Sequence, residues 1–142
     1  FCLSRGLGDV YKRQIPNGMP GVETRGVLLY TYGVEEGRMT LEEMCRVLSE
    51  NPAKLYGMYP KKGCLEPGSD ADLVILDPHK PGIIQAKTQE YNMDYAPFEG
   101  WKLKGTIDKV YLRGNLVVDQ GKVVSEKQGQ YISRGKYQTD FN

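Results

Sequence analysis

Apolar residues recur at helical spacing early in the chain, after an irregular segment rich in Pro and Gly. The side chains of Val22, Leu28 and Tyr32 form one apolar stripe, which predicts a helix over residues 22–32. Gly33 is expected to end this helix, because glycine readily takes the left-handed conformation found at helix C-termini.

Two further helices are predicted from their start signals. Thr40 and Glu43 form an S/T-x-x-E capping box, in which each side chain satisfies a backbone N–H of the other residue. Asn51 and Pro52 predict a separate third helix ending near Gly57, since Asn is a good N-cap and Pro is tolerated at the first helical position. The second helix would have one apolar face, formed by Leu41, Met44, Cys45, Val47 and Leu48.

After Pro60 the pattern changes to short apolar runs bounded by turn residues. Residues 73–76 (LVIL) are continuously apolar and predict a buried strand. Further strands are predicted at residues 83–84, 101–104, 109–112, 116–118 and 122–124, and an extended polar tail at residues 125–142. Helices are thus followed by strands without βαβ alternation, and the strands have no obvious cover for their edges.

Composition and charge exclude several classes of function. The 142 residues include 19 Lys and Arg against 18 Asp and Glu, and a net charge of +1 offers no field for nucleic acid or an anionic membrane. No apolar run approaches the roughly 20 residues that cross a bilayer. The three cysteines lack CxxC spacing, which favours a reducing compartment, so a soluble, cytoplasmic protein is expected.

The residues alone do not form a catalytic or metal site. The one histidine, His79, lies in a polar turn and has no second histidine to complete a metal site. Asp70 and Asp72 share a strand face but flank a turn, where Asp commonly bonds its own backbone. Cys45 is expected in a helix core and Cys64 lacks an activating partner, so no catalytic residue is assigned.

Residues 1–14 are interpreted as an artefact of sequencing or assembly. Residues 9–14 (DVYKRQ) are the translation of GAT GTG TAT AAG AGA CAG, which resembles the transposase end sequence used to build sequencing libraries. The preceding residues have neither periodicity nor the plan of a signal peptide. The natural sequence is therefore predicted to begin near Ile15 as part of a longer gene product, the alternative being a natural N-terminal arm.

Several stretches together resemble the C-terminal region of the cyclic amidohydrolases. Residues 51–57 (NPAKLYG) and 68–77 (GSDADLVILD) are similar to strings found across that superfamily. Residues 15–25 (IPNGMPGVETR) and 92–102 (NMDYAPFEGWK) resemble a narrower branch, the dihydropyrimidinases and D-hydantoinases. The resemblance covers nearly all of the chain that follows the first 14 residues.

The resemblance implies an α/β fold, in which a (β/α)8 TIM barrel lies beside a β-sandwich built from both chain ends. Residues 15–60 would then be the last loop and outer helices of the barrel, and residues 61–124 the C-terminal strands of the sandwich. The tail at residues 125–142, with Tyr131 and Tyr137, is similar to the arm that reaches between subunits in tetrameric family members. A homotetramer is therefore implied for the longer protein.

The resemblance also implies a reaction and one substrate contact. Family members open the C–N amide bond of dihydropyrimidines and hydantoins with a hydroxide shared by two divalent metal ions, usually zinc. The metal ligands are an HxH pair, a carboxylated lysine, two more histidines and an aspartate, all upstream of the position matching Ile15, so this chain is expected to bind no metal and to be inactive. Asn17 matches the residue that holds the imide edge of the substrate ring, chiefly through backbone groups; without the resemblance it would be a plain turn residue.

Two other interpretations stay open. Allantoinases and dihydroorotases share the region of residues 51–53 but match residues 92–101 less well. Collapsin response mediator proteins keep the fold and similar C-terminal motifs without the metal ligands, and act as oligomeric scaffolds. Asn17, within the IPNG stretch, favours the enzymes because the scaffold proteins tend to differ there.

Overall fold

The computed structural model describes residues 18–125 and 127–141, with the helices first and the strands after them. Asn17 and the segment interpreted as an artefact lie outside the described residues. The helices are α1 (Arg25–Leu29), α2 (Leu41–Cys45) and α3 (Asn51–Leu55), with π-helical turns at Tyr30–Val34 and Arg46–Glu50. The strands are β1 (Leu73–Asp77), β2 (Gly82–Ile83), β3 (Lys102–Leu103), β4 (Thr106–Leu112), β5 (Asn115–Asp119) and β6 (Lys122–Val123), and Ala86–Thr88 forms a 3-10 turn.

The first helix begins later and ends later than its apolar pattern predicts. Helix α1 begins at Arg25, and the predicted core residue Val22 is exposed. Gly33 does not end the helix, which continues through the π-helical turn, and a Cβ on Gly33 would lie 3.0 Å from Met39 Sδ, so the Met39 side chain packs closely on this position. The chain turns instead at Gly37, whose φ of 70° costs a glycine little.

The capping box that begins the second helix is confirmed. Glu43 N–H donates to Thr40 Oγ1 at 3.1 Å, and Thr40 N–H donates to Glu43 Oε2 at 2.7 Å. The prediction of a separate helix capped by Asn51 is wrong, because Asn51 has helical dihedral angles (φ −61°, ψ −46°) and the helical backbone continues through it. The π-helical turn directly before Pro52 widens the helix, which makes room for a ring that would otherwise clash with the carbonyl four residues earlier.

The predicted apolar face of the second helix is mostly exposed. Met44 is buried, but Leu41 and Val47 are exposed, and Cys45 is exposed rather than a core residue as predicted. The spacing of these residues predicts an apolar helix face, but such a face is buried only where another element packs on it. No described element covers Leu41, Cys45 or Val47. No helix in the described part of the chain is both long and apolar enough to cross a membrane.

Four of the strands form an antiparallel sheet in the order β1-β4-β5-β6. Leu73 of β1 lies opposite Tyr111 of β4, and a tight turn at Arg113 and Gly114 joins β4 to β5. The Val74 side chain is 64% exposed because no described element packs on its face of the sheet, and the prediction that residues 73–76 are buried is wrong for the described part of the chain. Strand β4 pairs with one edge of β1, and no described strand pairs with the other edge.

Helix α1 packs against a second, two-stranded sheet formed by β2 and β3. Tyr32 Oη donates to Lys102 O at 2.8 Å, and Lys104 N–H donates to Thr31 Oγ1 at 3.1 Å. The core beneath these contacts contains the buried residues Val27, Ile84, Ala96 and Leu103. This core fixes the position of α1, and with it the segment that precedes α1.

Two buried threonines test the value of the contact between the π-helical turn at Tyr30–Val34 and Lys104, the residue that follows β3. Thr31 is 5% exposed and accepts a hydrogen bond, whereas Thr24 is 3% exposed and its Oγ1 has no partner among the described residues. We expect Thr31→Val to lower the free energy of unfolding by about 1–3 kcal/mol, because the Lys104 N–H loses its acceptor. Urea denaturation measures the change.

The matched control is Thr24→Val, which makes the same change at similar burial. Since an unpaired buried hydroxyl contributes nothing favourable, this variant should keep its free energy of unfolding within about 0.5 kcal/mol, or gain stability. Equal losses in the two variants would contradict the assignment of the Thr31 hydrogen bond as a stabilising contact.

Candidate functional site

The segment that leads into α1 begins at Gly18, which directly follows the predicted substrate contact Asn17 in the sequence. Asn17 itself lies outside the described residues, so its role stays a prediction. Gly18 and Met19 are exposed, and Arg25 N–H donates to Gly21 O at 3.1 Å, which forms the first turn before α1. The backbone beside Asn17 is thus accessible and is supported by the start of a helix.

The two stretches that resemble the hydantoinase branch lie together in space. Tyr95 Oη lies 3.5 Å from Gly18 O, at the long limit of a hydrogen bond, although 77 positions separate them in sequence. Glu90, two residues before the second stretch, lies close by as well, since its N–H donates to Glu23 Oε2 at 3.0 Å. Sequence reasoning missed this pairing, because no local pattern relates Tyr95 to Gly18.

The segment that carries Tyr95 is held by backbone bonds to the strand region beneath it. Gly100 N–H donates to Ile84 O at 2.8 Å, and Ile84 N–H donates to Trp101 O at 3.0 Å. Glu99 Oε2 accepts from Ala86 N–H at 2.7 Å. A polar loop therefore keeps a defined shape, which positions Tyr95 towards Gly18.

The aromatic residues of this segment pack on the π-helical turn that follows α1. The rings of Tyr32 and Trp101 meet edge to face with centroids 5.0 Å apart, and those of Phe98 and Trp101 do so at 5.1 Å. These contacts give Phe98 and Trp101 a packing role within the described part of the chain. The aromatic rings hold residues 98–101 against Tyr32, and they supply no group that could take part in catalysis.

Tyr91 carries a buried hydroxyl close to the two segments. Its Oη has no hydrogen-bond partner among the described residues. Burial raises the pKa of Tyr91 first, and the carboxylates of Glu23 and Glu99 raise it further. This phenol therefore stays protonated at neutral pH and can donate a hydrogen bond, but it cannot act as a base.

The other residues considered for chemistry lie elsewhere. His79 is exposed, and its backbone N–H donates to Asp77 Oδ1 at 2.8 Å in an Asx turn. Cys64 Sγ lies 3.2 Å from Ser69 Oγ, with no histidine or carboxylate to activate it among its hydrogen-bond partners. In residues 18–125 and 127–141, no group of three or more His, Cys, Asp or Glu side chains could hold a metal ion. The described residues thus do not fit a two-metal centre.

Asp70 and Asp72 form an ionic cluster with Lys62 rather than an acid–base pair. Lys62 Nζ lies 2.8 Å from Asp70 Oδ2 and donates a hydrogen bond to Asp72, and Arg113 N–H donates to Asp72 Oδ1 at 2.8 Å. Burial alone would lower the pKa of Lys62, but its contacts with the two aspartates outweigh this and raise the pKa. The contact with Lys62 lowers the pKa of Asp70 more than burial raises it.

The lowered pKa of Asp70 predicts an acid-sensitive part of the stability. In the unfolded chain Asp70 takes up its proton at higher pH, so its contribution is complete above that ordinary pKa and is lost as the pH falls through the folded-state pKa below it. We expect the urea midpoint of Asp70→Asn to depend less on pH in this acidic window than that of the unchanged chain. Asp94→Asn, at an exposed position, is the control, and equal profiles for the two variants would contradict the role of the cluster.

Comparison with known proteins places this arrangement in a family. The profile of the Amidohydrolase family matches residues 15–117. The D-hydantoinase of Ralstonia pickettii is 43% identical over 134 residues, which cover 94% of this chain and 29% of that protein. A solved D-hydantoinase structure, 43% identical, superposes with a TM-score of 0.84 over 89% of this chain and 28% of that one. The dihydropyrimidinase of Brevibacillus agri NCHU1002, 38% identical, also gives 0.84 over 88% of this chain and 27% of its own.

The chain spans less than a third of the length of the curated D-hydantoinases that it matches. Within that span the matches include both segments that meet at Gly18 and Tyr95, since the family profile covers residues 15–117. The resemblance noted from the sequence is therefore confirmed. The chain belongs to the amidohydrolase family, and in sequence and structure it is similar to the D-hydantoinases.

Proposed function

We propose that this chain is the C-terminal part of a metal-dependent hydrolase that opens the C–N amide bond of cyclic amides, namely dihydropyrimidines and hydantoins. The observation that carries the proposal is the contact between Tyr95 and Gly18, which lie in the two stretches that resemble that branch of the family. The identity of 43% to a D-hydantoinase supports the same reaction class.

The proposed architecture divides the chain into three natural parts after an artefactual segment at residues 1–14. Residues 15–60 are the last loop and outer helices of a TIM barrel, residues 61–124 are the C-terminal part of a β-sandwich, and residues 125–142 are the tail. Helices followed by an antiparallel sheet support this division. The exposed edge strand β1 supports it too, because strands from outside this chain would cover its apolar side chains.

Asn17 is proposed to hold the substrate ring. A cyclic imide shows adjacent donor and acceptor groups, and a backbone N–H and C=O on a rigid loop can match both. The support comes from the neighbouring residues, since Gly18 is exposed and its carbonyl lies beside Tyr95 Oη. A loop held in this way loses little freedom when it binds a small ring.

The reaction is proposed to need two divalent metal ions, usually zinc in this family, which would activate water and polarise the ring amide. The residues that the structure describes do not fit such a centre, and the ligands are proposed to lie in the longer protein, upstream of Ile15. This chain contributes the substrate contact and its support, and is inactive by itself.

The longer protein is proposed to be a cytoplasmic homotetramer that acts on a small cyclic amide or imide. The near-neutral charge and the absence of CxxC spacing support a protein that works in a reducing compartment without nucleic acid or membrane partners. The aromatic side chains of Tyr131 and Tyr137 in the tail are exposed, which suits contacts between subunits.

A substitution at Tyr95 in the full-length gene product tests the proposed substrate loop. Tyr95→Phe removes only the hydroxyl beside the Gly18 carbonyl, so the loop loses support and KM for dihydrouracil or hydantoin should rise about three- to tenfold with kcat little changed. Tyr131→Phe makes the same change at an exposed tail position and should leave KM unaltered.

An unchanged KM in Tyr95→Phe would contradict the proposed role of the loop. A full-length protein that oligomerises but turns over neither substrate would favour the non-catalytic scaffold instead. Turnover of allantoin or dihydroorotate, with neither dihydrouracil nor hydantoin accepted, would place the protein in those related groups.

A further inference from the structure

The tail returns from the sheet to the helical part of the chain. Residues 128–140, called the strap below, begin near the turn between β4 and β5, where the Arg113 side chain donates to Gln128 O. The Gln128 side chain in turn donates to Ser125 Oγ at 3.0 Å. This first attachment is continuous with the ionic cluster of Lys62, because Arg113 N–H also donates to Asp72.

The strap is attached a second time at the C-terminal end of α3. Gly135 N–H donates to Gly57 O at 2.7 Å, and Gln138 N–H donates to Lys54 O at 3.0 Å. Gly57 O lies beyond the end of α3, and Lys54 O, which already accepts from Gly57 N–H at 3.1 Å, gains a second donor from the strap. Two backbone bonds in register make this a directed contact rather than a chance approach of the tail.

Lys54 strengthens the second attachment through its side chain. Its Nζ donates to Asp140 O at 3.3 Å, pairs with Glu50 Oε1 at 2.9 Å, and lies 5.4 Å from the centre of the Tyr59 ring. The side chain is largely buried by these neighbours. The strap therefore completes the surroundings of a lysine that the helix alone would leave open.

The close approach depends on glycine at position 57. Gly57 has a φ of 68°, and a Cβ built there would overlap the carbonyl of Gly135. Gly37 has nearly the same φ, 70°, but a Cβ there would have no heavy atom within 4 Å. An alanine at either position would have to adopt a left-handed backbone at similar cost. Only at position 57 would its Cβ also collide with the strap.

We propose that residues 128–140 are a strap that closes within one chain, clamping the C-terminal end of α3 to the β4–β5 side of the sheet. Closure requires a bare backbone at Gly57 and the two backbone donors of the strap, and it needs no second copy of the chain. The side chains of Tyr131 and Tyr137 stay exposed on the closed strap, so closure is compatible with the subunit contacts proposed for them. The inference does not depend on the proposed hydrolase activity.

Trypsin cleavage tests closure, because Arg134 and Lys136 both lie inside the strap. In the full chain, Gly57→Ala should raise the rate of cleavage after these residues about tenfold, whereas Gly37→Ala should leave it unchanged, since only the first substitution displaces the strap. Cleavage of the free peptide of residues 128–141 gives the rate for a fully open strap.

A second pair of variants separates release of the strap from damage to α3. Gln138→Pro removes the N–H that donates to Lys54 O, while Tyr137→Pro removes a neighbouring N–H that has no partner among the described residues. We expect faster hydrogen exchange at Gly135 in Gln138→Pro, about three- to tenfold, and no change in Tyr137→Pro.

Three results would overturn the strap. One is cleavage of the unchanged chain as fast as the free peptide, and another is an equal effect of Gly37→Ala and Gly57→Ala, or of the two proline variants. The third is protection that vanishes on hundredfold dilution, which would mean that the tail docks on a second copy instead of its own chain.

Discussion

No ring-opened product above the uncatalysed background is the expected result when the purified chain of 142 residues receives Zn²⁺ and either hydantoin or dihydrouracil. Hydrolysis of an unactivated amide needs a metal-bound or otherwise activated water, which requires several ligands or a base in one place. The sequence holds one histidine, His79, which is exposed in a turn, and the described residues include no set of three ligands.

The assay needs controls because trace contamination by a host hydrolase would imitate activity. A full-length D-hydantoinase in the same buffer shows that substrate and metal are competent, and a His79→Ala chain is purified in parallel. Turnover that follows the chain through purification, stops with a chelator and is lost in His79→Ala would contradict the proposal that the ligands lie outside this chain.

A loss of about 2–5 kcal/mol in the free energy of unfolding is expected for Ile84→Ala, the largest effect on stability that the fold predicts. Ile84 is 1% exposed and lies in the core with Val27, Ala96 and Leu103, so truncation leaves a cavity between α1 and β3. Ile83→Ala is the control, because the same substitution at the neighbouring residue removes a side chain that is 54% exposed. Urea denaturation measures both variants.

The same core supports the candidate substrate loop, so Ile84→Ala should also speed hydrogen exchange in residues 18–24 and 92–102 together. Ile83→Ala should leave the exchange in both segments unchanged. Losses that are equal in the two variants, or faster exchange in one segment alone, would contradict the claim that a shared core positions Tyr95 beside Gly18.

Local signals in the sequence predicted local structure well. The capping box of Thr40 and Glu43 and the strands β4 and β5 formed at or near the expected residues, because caps, turns and alternation depend on neighbours along the chain. Pro52 was misinterpreted as a helix start, since a π-helical turn just before it can accommodate a proline inside a continuing helix.

Burial was predicted less well, for a physical reason. An apolar run such as residues 73–76, or an apolar helix position such as Cys45, records that a side chain suits a covered site but not what covers it. In the described part of the chain Val74 and Cys45 are exposed, because no described element packs on the sheet face of Val74 or on the outer helix face.

The candidate site depended on resemblance more than on pattern. Asn17 has no local feature that distinguishes it from a turn residue, and it lies outside the described residues. Tyr95, which lies beside Gly18, and Lys62, which pairs with Asp70, are brought to their partners by the fold, and no spacing in the sequence announces either contact.

Sequencing the source DNA upstream of the Ile15 codon tests whether this chain is the C-terminal part of a metal-dependent cyclic amidohydrolase. We expect a reading frame that continues into barrel sequence carrying an HxH pair, a lysine, two further histidines and an aspartate, in place of the codons for residues 1–14. A frame that continues into a barrel without those ligands would contradict the assignment to a metal-dependent cyclic amidohydrolase and leave a non-catalytic relative in its place.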